Sequence, residues 1–349
     1  MSKRKKSISL LICGEAGQGI QTVEVMLTKI IKDEGFNVYA TKEYMSRVRG
    51  GSNSAEIRIS NEDVRAPVNF VDICVLLDKE ALKHVEDRLS GSTIILAEKS
   101  IKWDSEHKII DLPFTQEAEV IGSNIYGNTI AVGVILGMMD LDDDKALESV
   151  KKGFYRKGED IVENNLKAVL KGYEIARSLI DSGQIQKERF ALPERADMPE
   201  KEILCNGAEA IGMGAIAGGC NFISSYPMSP STGVLTFLAQ QASKFGIIAE
   251  QAEDEISAIN MALGAWYAGA RAIVTTSGGG FALMGEGVSL SGMMELPIIV
   301  HLAQRPGPAT GLPTRTEQGD LELALYSGHG EFPRAIFAPG SVEEAFFSA

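Results

Sequence analysis

Residues 250–280 read EQAEDEISAINMALGAWYAGARAIVTTSGGG, and the fold class follows from how this stretch divides. Ile256, Ile259, Ala262, Leu263 and Tyr267 recur at helical spacing, with Asn260, Met261 and Gly264 leaving close-packing surface between them. Glu253, Asp254 and Glu255 crowd the helix start, where the macrodipole favours negative charge. A turn at Ala268-Gly269-Ala270 leads to a strand over 271–276 and a glycine-rich turn over 277–280. An acid-headed helix, a buried strand and a glycine turn make half of an α/β ligand site. Acids at a helix start are commonly only that. Here Gly264 follows Glu255 by nine residues on a face of Ala and Ser, which lets something flat approach the backbone.

The 349 residues suit two ordinary domains with ample core. Apolar content of 44% and charged content of 23% are globular values. A net charge of −13 argues against nucleic acid and anionic membrane surfaces as partners. The four cysteines, Cys13, Cys74, Cys205 and Cys220, lie far apart without a C-x-x-C, so iron–sulfur or zinc ligation within the chain is not expected. They read as thiols of a reducing cytoplasm. The opening MSKRKK with ISLLICG mimics a signal peptide, but Glu15 ends the apolar run. No run approaches the roughly 20 apolar residues of a membrane span. A cytoplasmic protein is expected.

Residues 7–13 form a continuous apolar strand, followed by Gly14-Glu15-Ala16-Gly17-Gln18-Gly19 and an amphipathic helix over 20–34. This is the nucleotide-type opening of a parallel α/β sheet, but its G-x-x-G-x-G order departs from the dinucleotide fingerprint. A phosphate at the helix start is the broader reading. Arg47 and Arg49 precede Gly50-Gly51 and either grip a phosphate or carboxylate or make surface or interdomain ion pairs. Strands over 37–40, 55–59, 71–78 and 92–97 and helices over 127–139 and 164–182 imply a doubly wound domain over 1–183.

Residues 184–204, broken by Pro193 and Pro199, read as a linker, and 205–340 as a second α/β domain. Its strand over 221–224 runs into Tyr226-Pro227-Met228-Ser229-Pro230-Ser231-Thr232, where two prolines stiffen the turn. Ser229, Ser231 and Thr232 are placed either to bond a ligand or to cap the next helix. A strand over 297–302 precedes a loop rich in proline and glycine that ends at Arg315, the position where open α/β sheets bind ligands.

GEAGQGIQTVEVMLTKII, SRVRGGSNSAEIRIS and APVNFVDICVLLD resemble the gamma unit of 2-oxoacid:ferredoxin oxidoreductases. YPMSPST, EDEISAI, TTSGGGFALMGEG and GPATGLPTRTEQGDL, in that order, resemble the alpha unit of the same enzymes, with the gamma unit fused in front. The chain departs from the family at Met228-Ser229, where isoleucine-threonine is usual, and at Gly279, often proline.

The resemblance implies two doubly wound domains, a gamma-type Rossmann-like domain and a thiamine-diphosphate pyrimidine-binding domain. It implies oxidative decarboxylation of a 2-oxoacid to an acyl-CoA with electrons passed to ferredoxin. By resemblance Glu255 bonds the aminopyrimidine and promotes ylide formation; Ser229 meets the substrate's carboxylate and keto group; Arg315 pairs with a substrate carboxylate. Tyr226, Gly278, Gly279 and Gly280 contact the cofactor, although the glycines also suit a tight strand-to-helix turn. Magnesium and a [4Fe-4S] cluster would belong to a beta subunit, in a hetero-oligomer, because no G-D-G motif or cysteine cluster occurs here. Segments GPATGLPTRTEQGDL and HGEFP favour 2-oxoglutarate, with a branched-chain 2-oxoacid or indolepyruvate as runner-up. A non-catalytic thiamine-fold module and a nucleotide-dependent dehydrogenase are the competing classes. Family alpha units continue beyond this point, so 341–349 is expected to open a further, truncated domain.

Overall fold

The computed structural model describes residues 6–15, 19–44, 52–191 and 202–349. The chain divides into two compact units, Met1–Leu204 and Cys205–Ala349.

The first unit holds a six-stranded sheet of β1 (Ser7–Glu15), β2 (Asn37–Glu43), β3 (Ser52–Ser60), β4 (Ile73–Leu76), β5 (Ile94–Glu98) and β6 (Ile109–Leu112), in the order β2-β3-β1-β4-β5-β6. Residues 8–14 of β1 are all buried, which is why its sequence runs apolar without alternation. Strands β1, β4, β5 and β6 pair in parallel, as the sequence implies. Strand β3 instead runs antiparallel to both β1 and β2. Only residues 44–51 separate β2 from β3, and a parallel crossover needs about a dozen or more. Arg47 and Arg49 fall within 45–51, outside the described residues.

The helix Ile20–Asp33 starts after Gly19, whose φ of 80° is left-handed and suits glycine. Helix Glu159–Asp181 begins five residues before the expected 164, with Glu159 and Asp160 in its first turn complementing the dipole. It crosses helix Gly127–Met138 at almost no separation. A methyl added at Gly172 would stand 2.6 Å from Gly133 Cα and 2.6 Å from the Val134 nitrogen.

The second unit holds a wholly parallel sheet of β7 (Phe222–Ser225), β8 (Ile248–Gln251), β9 (Ala272–Thr276) and β10 (Ile299–Leu302), ordered β10-β9-β7-β8. Adjacent residues of β9 serve opposite faces. Ile273 packs with Val234 and Leu238, whereas Val274 packs with Ile259, Ala262 and Met284. Helices therefore cover both sides. The chain leaves β7 toward β8 on one side and reaches β9 on the other, so the sheet reverses its winding between β7 and β9. Ligands of open α/β sheets bind at such a point, beyond the carboxyl ends of the strands.

Helix Val342–Ser348 packs on helix Gly207–Ala217, where a methyl at Gly214 would lie 3.1 Å from Ala349 Cβ and overlap the Phe346 carbonyl. Among the described residues, no helix is long and apolar enough to cross a membrane.

Candidate active site

The three acids of residues 253–255 have three different fates. Glu253 is exposed. Asp254 caps helix Glu255–Tyr267, its carboxylate accepting the Ser257 N–H at 2.7 Å, and that bond holds its pKa below the usual value. Glu255 opens the helix and turns inward, with only 4% of its surface exposed. Its carboxylate has no hydrogen-bond or ion-pair partner among the described residues. Its oxygens are not among the fully buried atoms without a partner, so they keep an opening through which a ligand can meet them.

Gly278, Gly279 and Gly280 are not a free turn; they form the first turn of helix Gly278–Leu283. Each glycine makes room for a different segment. A methyl at Gly278 would collide with the Asp320 carboxylate, its oxygen Oδ2 lying 2.6 Å away. One at Gly279 would lie 3.0 Å from the Ala309 carbonyl and 3.6 Å from Met228 Cε. One at Gly280 would lie 2.7 Å from Glu255 Cγ and 2.8 Å from its Oε1. The four motifs that are separate in sequence meet at these three residues.

The turn after β7 is held by its carbonyls. Ser229 O accepts from Ser277 Oγ and from Arg305 Nη1, both at 2.8 Å. Met228 O accepts from Ser231 Oγ at 2.6 Å, so Ser231 braces the turn and makes no side-chain cap on helix Thr232–Phe245. Ser231 O accepts from Thr275 Oγ1 at 3.3 Å. Thr275 Oγ1 and His301 Nδ1 share a hydrogen bond at 2.7 Å, its donor set by the ring's tautomer. Burial pushes His301 down to about 4, so its ring is neutral at pH 7. Meanwhile the Ser229 side chain is exposed, and its hydroxyl makes no hydrogen bond among the described residues. Tyr226 is 40% exposed beside it in sequence.

Arg315 is half-buried at the end of the proline-rich loop, its N–H bonded to Leu312 O at 3.0 Å. The arginine that reaches Ser229 is Arg305, 7% exposed, which also donates from Nη2 to Thr310 O at 3.0 Å. Asp320 is likewise not singled out by the sequence. Its N–H bonds Gln304 Oε1 at 3.0 Å, and its Oδ2 is buried without a partner. Burial, reinforced by Glu317, pushes its carboxyl upward, against the N–H and the charge of Arg305. Position alone is the available signal for both, since Arg305 follows β10 by three residues at the sheet's ligand-binding end. His329 and Glu286 lie 3.8 Å apart but are each 85% exposed, and the ring has no role in this cluster.

An accessible carboxylate that makes no hydrogen bond among the described residues, set against a glycine-floored helix start, fits the amino and ring nitrogens of an aminopyrimidine. Among the described residues, the candidate metal ligands grouped in threes or more are Asp142, Asp143 and Asp144, exposed in the first unit and not part of this cluster.

Residues 9–175 match the pyruvate ferredoxin/flavodoxin oxidoreductase family. Residues 213–349 match the thiamine diphosphate-binding domain of pyruvate flavodoxin/ferredoxin oxidoreductase. The "2-oxoacid:ferredoxin oxidoreductase subunit alpha" of Sulfolobus sp is 29% identical over 98% of this chain and 61% of its own length. Both parts of the chain are thus similar to 2-oxoacid:ferredoxin oxidoreductases. The "2-oxoglutarate synthase subunit KorA" of Archaeoglobus fulgidus is 42% identical over 41% of this chain and 42% of its own. The 2-oxoglutarate:ferredoxin oxidoreductase of Magnetococcus marinus, solved with 2-oxoglutarate, coenzyme A and succinyl-CoA bound, superposes with a TM-score of 0.86 at 31% identity. That superposition covers 98% of this chain and 60% of the solved one. The chain spans about three fifths of the length of such relatives.

Proposed function

We propose that this chain supplies the gamma and pyrimidine-side parts of a thiamine-diphosphate-dependent 2-oxoacid:ferredoxin oxidoreductase acting on 2-oxoglutarate. Its division would be a gamma-type domain over 1–183, a linker over 184–204, a pyrimidine-side domain over 205–340, and 341–349 leading onward. Coenzyme A is the acyl acceptor and ferredoxin the electron acceptor. A beta subunit holds magnesium and the [4Fe-4S] cluster, and the hetero-oligomer works in the cytoplasm. The observation that carries this reading is the Glu255 carboxylate, which sits beside Gly280 and makes no hydrogen bond or ion pair among the described residues.

Thiamine diphosphate, when bound, supplies a nucleophilic carbon that accepts the 2-oxoacid's keto carbon and stores the electrons released with carbon dioxide. This chain's residues do the rest locally. Glu255 holds a proton between its carboxylate and the ring nitrogen, and its apolar surroundings of Ala258 and Ile259 strengthen that bond. Ser229 presents a free hydroxyl to the substrate's oxygens, on a backbone fixed by Ser277 and Arg305. Arg315 offers a planar fork to a carboxylate. Tyr226 and the Gly278 to Gly280 turn border the space between them.

In the complex reconstituted with its beta partner, Glu255→Gln should slow deuterium exchange at the thiazolium C2 at least tenfold with little change in thermal stability. Wild-type exchange in that variant would remove Glu255 from the reaction. Viologen reduction across a panel of 2-oxoacids identifies the substrate, with 2-oxoglutarate expected to give the highest kcat/KM.

A further inference from the structure

Cys13 and Cys74 are fully buried, and the proposed reaction uses neither. Cys13 lies on β1 and Cys74 on β4, parallel neighbours that set Leu11 opposite Cys74 and Leu76 opposite Cys13. Residues two apart share a face of a strand, so both thiols enter the smaller core of the first unit, among Leu11, Leu76, Ala81 and Ala97. The thiols are neighbours there. Their mutual hydrogen bond, followed by burial, pushes the Cys13 thiol well above its usual value.

A disulfide is one use of paired thiols, but the register opposes it. The cysteines are offset by one strand repeat, about 6.6 Å, on strands about 4.8 Å apart. Their Cα atoms are then about 8 Å apart, beyond the roughly 7 Å that a disulfide bridges without moving backbone. A metal ion reaches further, because two metal–sulfur bonds of about 2.3 Å hold the sulfurs up to roughly 4.6 Å apart. The surroundings select the ion. Hydrocarbon encloses the pair, and thiolates without oxygen or nitrogen donors favour soft ions. The nearby Asp78 carboxylate is committed to the Glu80 N–H at 2.7 Å. Zinc takes four ligands and finds two. Two thiolates on a monovalent ion leave one negative charge, and the Arg88 guanidinium lies near enough to favour it.

We infer that Cys13 and Cys74 form a two-coordinate site for a soft monovalent metal ion, copper(I) or silver(I), inside the first unit. Loading it is an exchange without redox. Two S–H bonds break, two metal–sulfur bonds form, and two protons leave to solvent. Entry needs only a local opening, because the cover on this face is thin, a five-residue helix Ala81–Val85 followed by the short turn Glu86–Arg88. Once held, the ion ties β1 to β4, the two central strands of the six-stranded sheet.

The site does not depend on the function proposed above, and the purified chain suffices to test it. Copper(I), supplied anaerobically as its bicinchoninate complex, is the probe. One ion per chain should pass from the chelator to the protein, release two protons and raise the melting temperature of the first unit. X-ray absorption should show two sulfur neighbours and no nitrogen or oxygen. Cys13→Ala and Cys74→Ala should each weaken binding roughly a hundredfold or more, since one thiolate alone leaves the ion half-coordinated. Melting without metal checks that each variant is folded. Replacing the half-buried Cys205 and Cys220 by serine together should leave binding unchanged. Where alanine at 13 or 74 spoils the fold, the absorption spectrum of the wild type decides. No transfer of copper, a third ligand in the spectrum, or full binding by the Cys13→Ala, Cys74→Ala double variant would each overturn the site.

Discussion

In the first unit Gly133 and Gly172 let two helices cross backbone to backbone; in the second, Gly278, Gly279 and Gly280 let side chains and a carbonyl crowd one helix start. At the crossing, the atom a methyl at Gly172 would meet is main chain, Gly133 Cα or Val134 N, each 2.6 Å away. At the helix start, the atoms are mostly the ends of functional groups, the carboxyls of Asp320 and Glu255 and the thioether of Met228. Main chain cannot move without its helix, whereas a side chain can rotate. The same residue type thus makes room for main chain in one place and chiefly for side chains in the other.

Gly172→Ala should have the largest effect. Alanine ordinarily favours a helix over glycine by about 1 kcal/mol, so any loss measured here understates the clash. Overpacking against backbone costs roughly 3 kcal/mol or more, and the first unit should lose its cooperative melting transition, read by calorimetry. A melting curve like wild type would mean the helices slide apart cheaply, and the contrast would collapse.

Gly280→Ala comes next, at about 1–3 kcal/mol in denaturant unfolding of the second unit. Its more telling result should be functional, because the methyl would press on Glu255 as well as on the nearer Thr276 hydroxyl. C2 exchange in the reconstituted complex should fall toward that of Glu255→Gln while the fold persists. Loss of fold without a selective loss of exchange would make this glycine no different from Gly172.

Gly264 is the control. It lies on the exposed face of helix Glu255–Tyr267, and a methyl added there would meet nothing within 4 Å. Gly264→Ala should therefore stabilise the isolated chain by roughly 0.5–1 kcal/mol, a shift of a few degrees in Tm.

The smallest effect belongs to Asp320, the group that crowds Gly278. Its folded carboxyl titrates above the ordinary 3.8 because of burial, so the native state binds more protons than the unfolded chain once pH rises past that value. Stability is then lost as pH climbs through the window between the two pKa values, and stays lost at neutral pH. Asp320→Asn should melt slightly higher than wild type at pH 7, and the advantage should vanish below 3.8. An advantage that persists into acid would assign it to packing, not charge.

Much of this is legible in the sequence alone. The buried strands and the sheet class follow from apolar runs, since residues covered on both faces need no alternation. Glycines 278–280 stand out because they are adjacent, whereas Gly133 and Gly172 are 39 positions apart and only the helix crossing relates them. The antiparallel β3 escapes a reading by strand content, although the brief 44–51 connection encodes it. Glu255 is separable from Glu253 and Asp254 only by resemblance; in the structure, helix phase turns it inward and leaves Asp254 to cap. Arg305 and Asp320 carry no local signal, because a charge in a loop of prolines and glycines reads as solvent-facing until another segment closes over it.

One consequence follows from how the Met228–Ser231 turn is fastened. Its carbonyls are tied down by Ser277, Arg305, Thr275 and Ser231, while the Ser229 side chain is bound to nothing and Met228 offers only a soft sulfur contact to Thr276 at 3.9 Å. A backbone anchored by residues from elsewhere does not depend on what it displays. Positions 228 and 229 are accordingly free to drift in evolution, or to be randomised in a library, without remodelling the loop that carries them. The turn works as an interchangeable cassette.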